Sequence, residues 1–495
     1  MTAITTGDHL VIRVAAGDPD RDPSLSTAGF DGPIVNVGPT GVPALEPLIA
    51  VTAAGRTALY THCSTADLES ITASVEETGD VDGADPDAVV SHAPDRNRLP
   101  TAPLPGLRAG DRRVLGACSW RRPTSVADHK AAGGFAPSDA ETVLTVGNSL
   151  NGRGWGDLCQ DDPLAETWRT ARATDGDPVV VVNGHGSPAD TLLLSSAPFE
   201  VLDGASVLAS TVAADRIIVY ASSEDDNAVK TVSSAVDTYP DPAAPMEVVT
   251  GPEEYRAAEP TMAIEAIEGN HRLEARLRPP GPERVGLDGR PTLVHTPRTL
   301  AHLAVGLREG IDEQTRVMTV RGDVDSVATV ELSETQKLSE LVDTVGVDGS
   351  FKAACVGGRF GGITRDLDVG IGVEALNNAD LGTDGIVDVL SDARCLVEFV
   401  GQRASFAAEE NCGRCVPCRE GTAQLASLLR NVYDGEFDAQ AIAELDRVMA
   451  SSSICVFGER AGRPVRTAIE AFTSEFKAHA EGRCPAGTCL EPLEA

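Results

Sequence analysis

The sequence predicts an α/β protein of several domains that closes with a helical bundle. Three observations carry this. Short β-branched runs alternate with helical stretches from about residue 106 to 303, a strand–strand–helix–strand order follows over 315–363, and apolar residues repeat at helical spacing from about 400 to 480. A chain of 495 residues holds several domains at roughly one per 150 residues, and 42% hydrophobic residues are enough for ordinary cores.

In chain order, residues 34–80 read as a small α/β unit. "IVNVGPTG" and "LIAVTAAGRTALYTH" are strand-like, and "STADLESITASVEETG" opens on a Ser/Thr N-cap with Leu68, Ile71 and Val75 at helical spacing. The Pro-, Asp- and Gly-rich stretch that follows reads as a linker or exposed connection, with a boundary near residue 105. "PVVVVNGHG" and "DRIIVYASS" are buried strands joined by the helical "FEVLDGASVLASTVAA", a mostly parallel, helix-covered sheet whose ligands bind at the strands' carboxyl ends. "RVMTVRGDV", "ATVELS", "KLSELVDTVG" and "FKAACVGGRFGG" suit a β-grasp module. In the last segment, Leu425, Leu428, Leu429 and Val432 mark one helical face. Ile442, Leu445, Val448 and Met449 mark a second; Val465, Ile469, Phe472 and Phe476 mark a third, opened by Pro464.

The formal charge is −34, and lysine is confined to Lys130, Lys230, Lys337, Lys352 and Lys477. Nucleic acid is thereby disfavoured as a partner, because a phosphate backbone needs a Lys/Arg surface. Acidic residues run along the whole chain, and such a surface repels itself unless screened. A cytoplasm of very high ionic strength, as in halophilic archaea, fits this. There is no apolar run of about 18 residues, so no membrane span is expected. "MTAITTGDHLVIRV" lacks the order of a secretion signal, which places the protein in the cytoplasm.

Eleven cysteines suit a reducing compartment. Cys63, Cys118, Cys159, Cys355 and Cys395 stand alone and read as small buried apolar groups. "CGRCVPCREG" instead packs Cys412, Cys415 and Cys418 at i, i+3 and i+6, and Cys455 follows 37 residues after Cys418 in "SSSICVFGER". Closely repeated C-x2-C spacing with one remote cysteine is the mark of a [4Fe–4S] cluster. Zinc more often takes two separated cysteine pairs, or cysteine and histidine pairs, and a set of unrelated free thiols is the remaining alternative. The two thiols of "CPAGTC", Cys484 and Cys489, have no evident partners; a reducible disulfide, part of an interface and no role are the readings, and no role is the expected one.

With the cluster placed after a β-grasp module and within helices, the chain resembles the NADH-oxidising flavoprotein (51-kDa-type, F) subunit of respiratory complex I. It is even more similar to the equivalent subunit of NAD-linked hydrogenases and formate dehydrogenases. "ENCGRCVPCREG" resembles that family's "ESCGKCxPCREG", and "ICVFG" its "ICALG". "RLRPPGPERVGLDGRPTLVHTPRTLAHLA" and "LGTDGIVDV" have counterparts as well. The resemblance assigns Cys412, Cys415, Cys418 and Cys455 as cluster ligands, and implies FMN as cofactor, NADH as substrate and other redox subunits as partners. The implied architecture is α/β and multidomain. It runs as a degenerate thioredoxin-like domain and linker (1–105), a Rossmann-like flavin/NADH-type domain (106–310), a β-grasp (SLBB-like) region (311–398), an iron–sulfur helical bundle (399–480) and a tail (481–495). "VGPTGVPALEPLIAV" is similar to a domain that normally holds a [2Fe–2S] cluster. Val42 and Ala44 fall where that domain has cysteines, so it is expected to persist as a scaffold without metal.

The nucleotide contacts diverge most. The family's "GRGGAGFPTG" is here "GRGWGDLCQD": Gly152, Arg153 and Gly154 match, but Trp155 and Asp157 replace glycines, and Thr167 replaces a lysine. Asn183, Tyr255, Glu259 and Thr296 fall on further nucleotide-contact positions, Thr296 and His295 standing where the family has asparagines. Pro260 stands in place of an acid. A lost cation and an added carboxylate both oppose a phosphate. Two readings follow. In one, the chain oxidises NADH through FMN and the cluster, with Arg414 and Arg419 favouring the reduced cluster. In the other, a non-catalytic electron carrier or assembly subunit keeps the cluster beside a vestigial flavin pocket.

Overall fold

The structure is a computed structural model, describing residues 10–17, 32–110, 112–137, 139–157, 162–311 and 313–489. Cys159 and residues 490–495 of the tail lie outside the described residues.

The first sheet consists of β1 (Val11–Ala15), β2 (Ile34–Val37), β3 (Leu48–Ala53), β4 (Arg56–Tyr60) and β5 (Ala88–Ser91), in the order β2-β1-β3-β4-β5. Only the β1–β2 pair is parallel. Strand alternation gives the sheet two apolar faces. Ile12, Val14, Ile49 and Val51 pack under Leu68, Ile71 and Val75 of the helix Thr65–Thr78. Ala15, Leu48, Ala50 and Leu59 face the later β-grasp strands. The helix begins as expected: Ser64 is its N-cap and forms a capping box with Asp67. The stretch read as a linker contains β5, which pairs with β4. Four residues between Asp/Pro-rich flanks are too short for periodicity to reveal an edge strand.

The second sheet is fully parallel: β6 (Val179–Asn183), β7 (Arg216–Ser222), β8 (Met246–Gly251) and β9 (Thr292–His295), ordered β8-β7-β6-β9. All five residues of β6 are buried, as a strand covered on both faces requires. The helices Pro188–Ser196, Pro198–Val212, Asp226–Thr238, Pro260–Ile267 and Pro297–Glu309 accompany the sheet. The first two are bent by 96° at Ala197 and are mostly buried; no single helix among the described residues is long and apolar enough to cross a membrane.

The third sheet contains β10 (Thr315–Gly322), β11 (Ala328–Ser333), β12 (Phe351–Val356), β13 (Gly362–Thr364) and β14 (Ile386–Ser391), in the order β11-β10-β14-β12-β13. β10 and β14 are parallel and the other pairs antiparallel. The helix Leu338–Val345 buries Leu338, Leu341 and Val342 in the core shared with the first sheet.

Helices Leu396–Glu410, Val416–Tyr433, Ala439–Ser452 and Arg463–Ala480, with the short Val456–Arg460, complete the chain. Leu425, Leu429, Val432, Val465, Ile469, Phe472 and Phe476 share one core with Ala353 and Cys355 of β12. The second expected face is narrower than its spacing suggested: Ile442 and Met449 are buried, but Val448 is 38% exposed. Leu445 packs beside them, and Val448 falls outside this stripe.

Candidate functional site

The four cysteines of the expected cluster come from three separate segments. Cys412 follows the helix Leu396–Glu410, Cys415 is the N-cap of Val416–Tyr433, Cys418 lies in that helix's first turn, and Cys455 precedes Val456–Arg460. The fold brings Cys455 to the other three, and all four belong to one apolar cluster with Trp155, Phe360 and Phe457. Gly458 permits the approach: a Cβ there would stand 2.8 Å from Cβ of Cys418 and 2.3 Å from Oγ of Ser453. Burial, reinforced by Cys415, Cys455 and Cys412, pushes the Cys418 thiol pKa up. Burial and the Glu259 carboxylate push that of Cys455 up to about 12. Four convergent thiols in an apolar pocket fit the donor set of an iron–sulfur cluster, whose binding takes them as thiolates and releases protons. Arg414 donates to the Ala275 carbonyl at 2.7 Å. Arg419 donates to the Gly413 carbonyl at 3.0 Å and is paired with Glu420 at 2.9 Å, which offsets its charge.

The glycine loop lies over the carboxyl ends of β6 and β9. Asn183, the last residue of β6, donates through Nδ2 to the carbonyls of Gly156 (3.0 Å) and Ala258 (2.8 Å). Its Oδ1 is buried without a hydrogen-bond partner among the described residues. Gly154 has no room for a side chain, since a Cβ would stand 2.3 Å from Nη2 of Arg298. This frame of close backbone and an unpaired buried amide oxygen suits a flat polar ligand.

The loop's own donors are already engaged. Asp157 turns its carboxylate back onto the loop, accepting from the amides of Gly154 (3.0 Å) and Arg153 (3.2 Å) and from the Thr299 hydroxyl (2.6 Å). It therefore holds two of the backbone N–H groups that a phosphate would need. The Arg153 guanidinium points to the third sheet, donating to Glu334 at 2.8 Å and to the Thr315 carbonyl at 2.6 Å. As the loop stands, these two amides and the Arg153 guanidinium are engaged within the protein and are not free to hold a phosphate.

The other expected residues serve local structure. Glu259 caps the helix Pro260–Ile267, accepting from the Thr261 and Met262 amides, and pairs with Arg278. Thr296 caps Pro297–Glu309. His295 accepts the Trp168 indole N–H at Nε2, 2.8 Å away. Tyr255 stacks on Trp155, with centroids 5.3 Å apart and planes at 12°. Trp155 also meets Phe457, next-but-one to Cys455, edge-on at 6.3 Å. One aromatic wall thus joins the glycine loop to the cysteines. Tyr255 and His185 line a cavity of about 1260 Å³ that also touches Glu46 of the first unit, Arg321 of β10 and Phe406 of the bundle.

Sequence reasoning missed the ion pair behind the loop. Arg298 and Asp190, each 1% exposed, are joined by Nη2–Oδ2 at 2.9 Å and Nε–Oδ1 at 3.1 Å, and Arg298 also donates to the Asp384 carbonyl. Nothing local in "SPADT" or "TPRTL" signals this contact across 108 residues. Cys63, Cys118 and Cys355 are buried as expected. Cys395 is not isolated, and Cys484 and Cys489 are not without partners: Sγ of Cys489 lies 3.0 Å from Cys395 and 3.4 Å from Cys484. Cys395 and the turn carrying Cys484 and Cys489 come from segments that only tertiary packing brings together.

Residues 398–479 match the family model of the NADH-ubiquinone oxidoreductase-F iron-sulfur binding region, and residues 161–304 match that of the Nuo51 FMN-binding domain. The chain is 26% identical over 427 residues to the HndC component of the NADP-reducing hydrogenase of Solidesulfovibrio fructosivorans, covering 76% of this chain and 85% of that one. It is 26% identical over 395 residues to the second F-type component of the NADH-quinone oxidoreductase of Rhizobium meliloti, covering 72% and 92%. Its fold is similar to that in the crystal structure of an NAD+-reducing [NiFe]-hydrogenase in the H2-reduced state, with TM-score 0.66, 22% identity, and coverage of 96% of this chain and 86% of that one. The FMN-binding match falls on the parallel second sheet and its helices and the iron–sulfur match on the helical bundle, and by these matches the chain is similar to the NADH-oxidising flavoproteins (51-kDa-type, F) of respiratory complex I and NAD-linked hydrogenases.

Proposed function

We propose that this chain is an electron-transfer subunit of a multi-subunit oxidoreductase, in which Cys412, Cys415, Cys418 and Cys455 hold a [4Fe–4S] cluster. The reaction is the family's: electrons from NADH pass through FMN to the cluster and leave to another redox subunit. The cofactors supply the redox chemistry; the chain positions them and excludes water. The observation that carries this reading is the convergence of Cys455 with the other three thiols at the end of the wall formed by Trp155, Tyr255 and Phe457. The sequence divisions at residues 105, 310, 398 and 480 stand as the proposed domain limits. The charge of −34 supports a cytoplasm of high ionic strength.

One observation favours a second reading. The Asp157 carboxylate sits on the loop amides, which supports a subunit that retains the cluster and carries electrons without binding flavin. Anaerobic purification in molar KCl, followed by iron, sulfide and flavin analysis and a visible spectrum, tests both. About four irons and four sulfides per chain, with a flavin band that NADH bleaches, support the first reading. The same iron without flavin supports the second. An iron-free, colourless protein overturns both.

A further inference from the structure

A second group of metal-ligating side chains meets at the opposite end of the helical bundle. Cys395 is the N-cap of Leu396–Glu410, His479 lies in the last turn of Arg463–Ala480, and Cys484 and Cys489 flank the turn that follows. Their donor atoms all lie within 4.8 Å of one another. Nε2 of His479 is 3.2 Å from the sulfurs of both Cys395 and Cys489. The Cys489 sulfur is 3.0 Å from that of Cys395 and 3.4 Å from that of Cys484. Cys395, His479 and Cys489 are only 2%, 4% and 8% exposed.

The imidazole orientation distinguishes this group from thiols that merely pack in a core. Nδ1 of His479 lies 2.8 Å from the Glu475 carbonyl, and a carbonyl can only accept. The proton therefore sits on Nδ1, and the lone pair of Nε2 faces the sulfurs. Metal-bound histidines are fixed in this way, by a hydrogen bond from the nitrogen that does not bind. Glu475 is itself held: its carboxylate accepts the Leu396 amide at 2.8 Å and pairs with Lys352 at 2.9 Å.

We propose that Cys395, His479, Cys484 and Cys489 bind one zinc ion in a closed Cys3His site. Three thiolates and one neutral imidazole are a structural-zinc donor set, and Zn–S of about 2.3 Å with Zn–N of about 2.0–2.1 Å sets tetrahedral edges of roughly 3.6–3.8 Å. Four of the six donor separations, at 3.0–3.4 Å, lie within about 0.8 Å of those edges, and the other two are within 4.8 Å. Disulfide formation requires about 2.05 Å between sulfurs, and none of the three is so bonded. Donor atoms this close leave no room for a four-iron core. Cys395, Cys484 and Cys489 also fall outside residues 398–479, which match the iron–sulfur region, and the proposal is independent of the electron-transfer reading.

Position gives the site its role. Leu396–Glu410 starts at the proposed zinc site and ends two residues before Cys412; Arg463–Ala480 starts shortly after Cys455 and ends at His479. The two helices that bracket the four other thiols are thus clamped at their far ends, together with the following turn, by an ion with no redox chemistry of its own.

The test is metal analysis of the full chain purified anaerobically. The expected result is one zinc per chain, lost from Cys489→Ser and His479→Ala while iron is kept, and retained in Cys412→Ser while iron falls. Because the first two variants can misfold, the unsubstituted protein is also stripped of zinc and given Co²⁺, which should yield the intense visible bands of tetrahedral, thiolate-bound cobalt. Absence of zinc together with absence of those bands overturns the proposal. So does zinc that persists in the His479→Ala, Cys489→Ser double variant, or a mass spectrum showing two of these thiols joined.

Discussion

The carboxylate of Asp157 accepts the backbone N–H of Gly154 at 3.0 Å, closing the glycine loop with one of the loop's own side chains. Removing that carboxylate frees the amides for a phosphate and removes a charge that repels it. Asp157→Gly is expected to raise FMN affinity by about tenfold or more, read by flavin fluorescence quenching. Unchanged flavin binding in a folded variant removes Asp157 as the obstacle.

Cys455 is the one expected cluster ligand remote in sequence. Cys455→Ser should lower iron by roughly half or more and bleach the visible absorbance, whereas Cys63→Ser, buried in the first unit, leaves both unchanged. Equal iron in the two variants excludes Cys455 as a ligand.

The Arg298–Asp190 pair is buried beneath the same loop. Arg298→Met leaves Asp190 without its cation in a dry site, and such a loss costs about 3–5 kcal/mol. Denaturant unfolding in high salt measures it. A midpoint within error of the unsubstituted chain contradicts the burial of this pair.

Burial holds the pKa of His129 and of His295 at about 4, below 6.5. The unfolded chain therefore protonates first as pH falls. Their contribution to stability is complete above about pH 6.5 and is lost toward pH 4, by about 1.4 kcal/mol per pH unit for each imidazole. His295→Gln keeps an acceptor for the Trp168 indole without titrating, so it should flatten the slope of stability between pH 6.5 and 4. An unaltered slope rules His295 out.

With a formal charge of −34, self-repulsion is screened over about 3 Å at 1 M salt but over about 30 Å at 0.01 M. The melting temperature should rise between dilute and molar KCl. A melting temperature indifferent to KCl removes the high-salt cytoplasm from the reading.

Local periodicity and spacing were enough for much of this protein. The fully buried "VVVV" of β6, the Ser64 cap, the apolar face ending at Phe476 and the close spacing of Cys412, Cys415 and Cys418 all express rules that operate within a few residues. The sequence by itself also determined that Asp157 brings a charge into the glycine loop. Only the tertiary structure decided which amides that carboxylate takes, that Arg298 meets Asp190, and that Cys395, His479, Cys484 and Cys489 share one point at the end of the bundle. The last two contacts join segments up to 108 residues apart, and no spacing rule records them, because the chain between the partners is placed by the packing of whole helices and sheets.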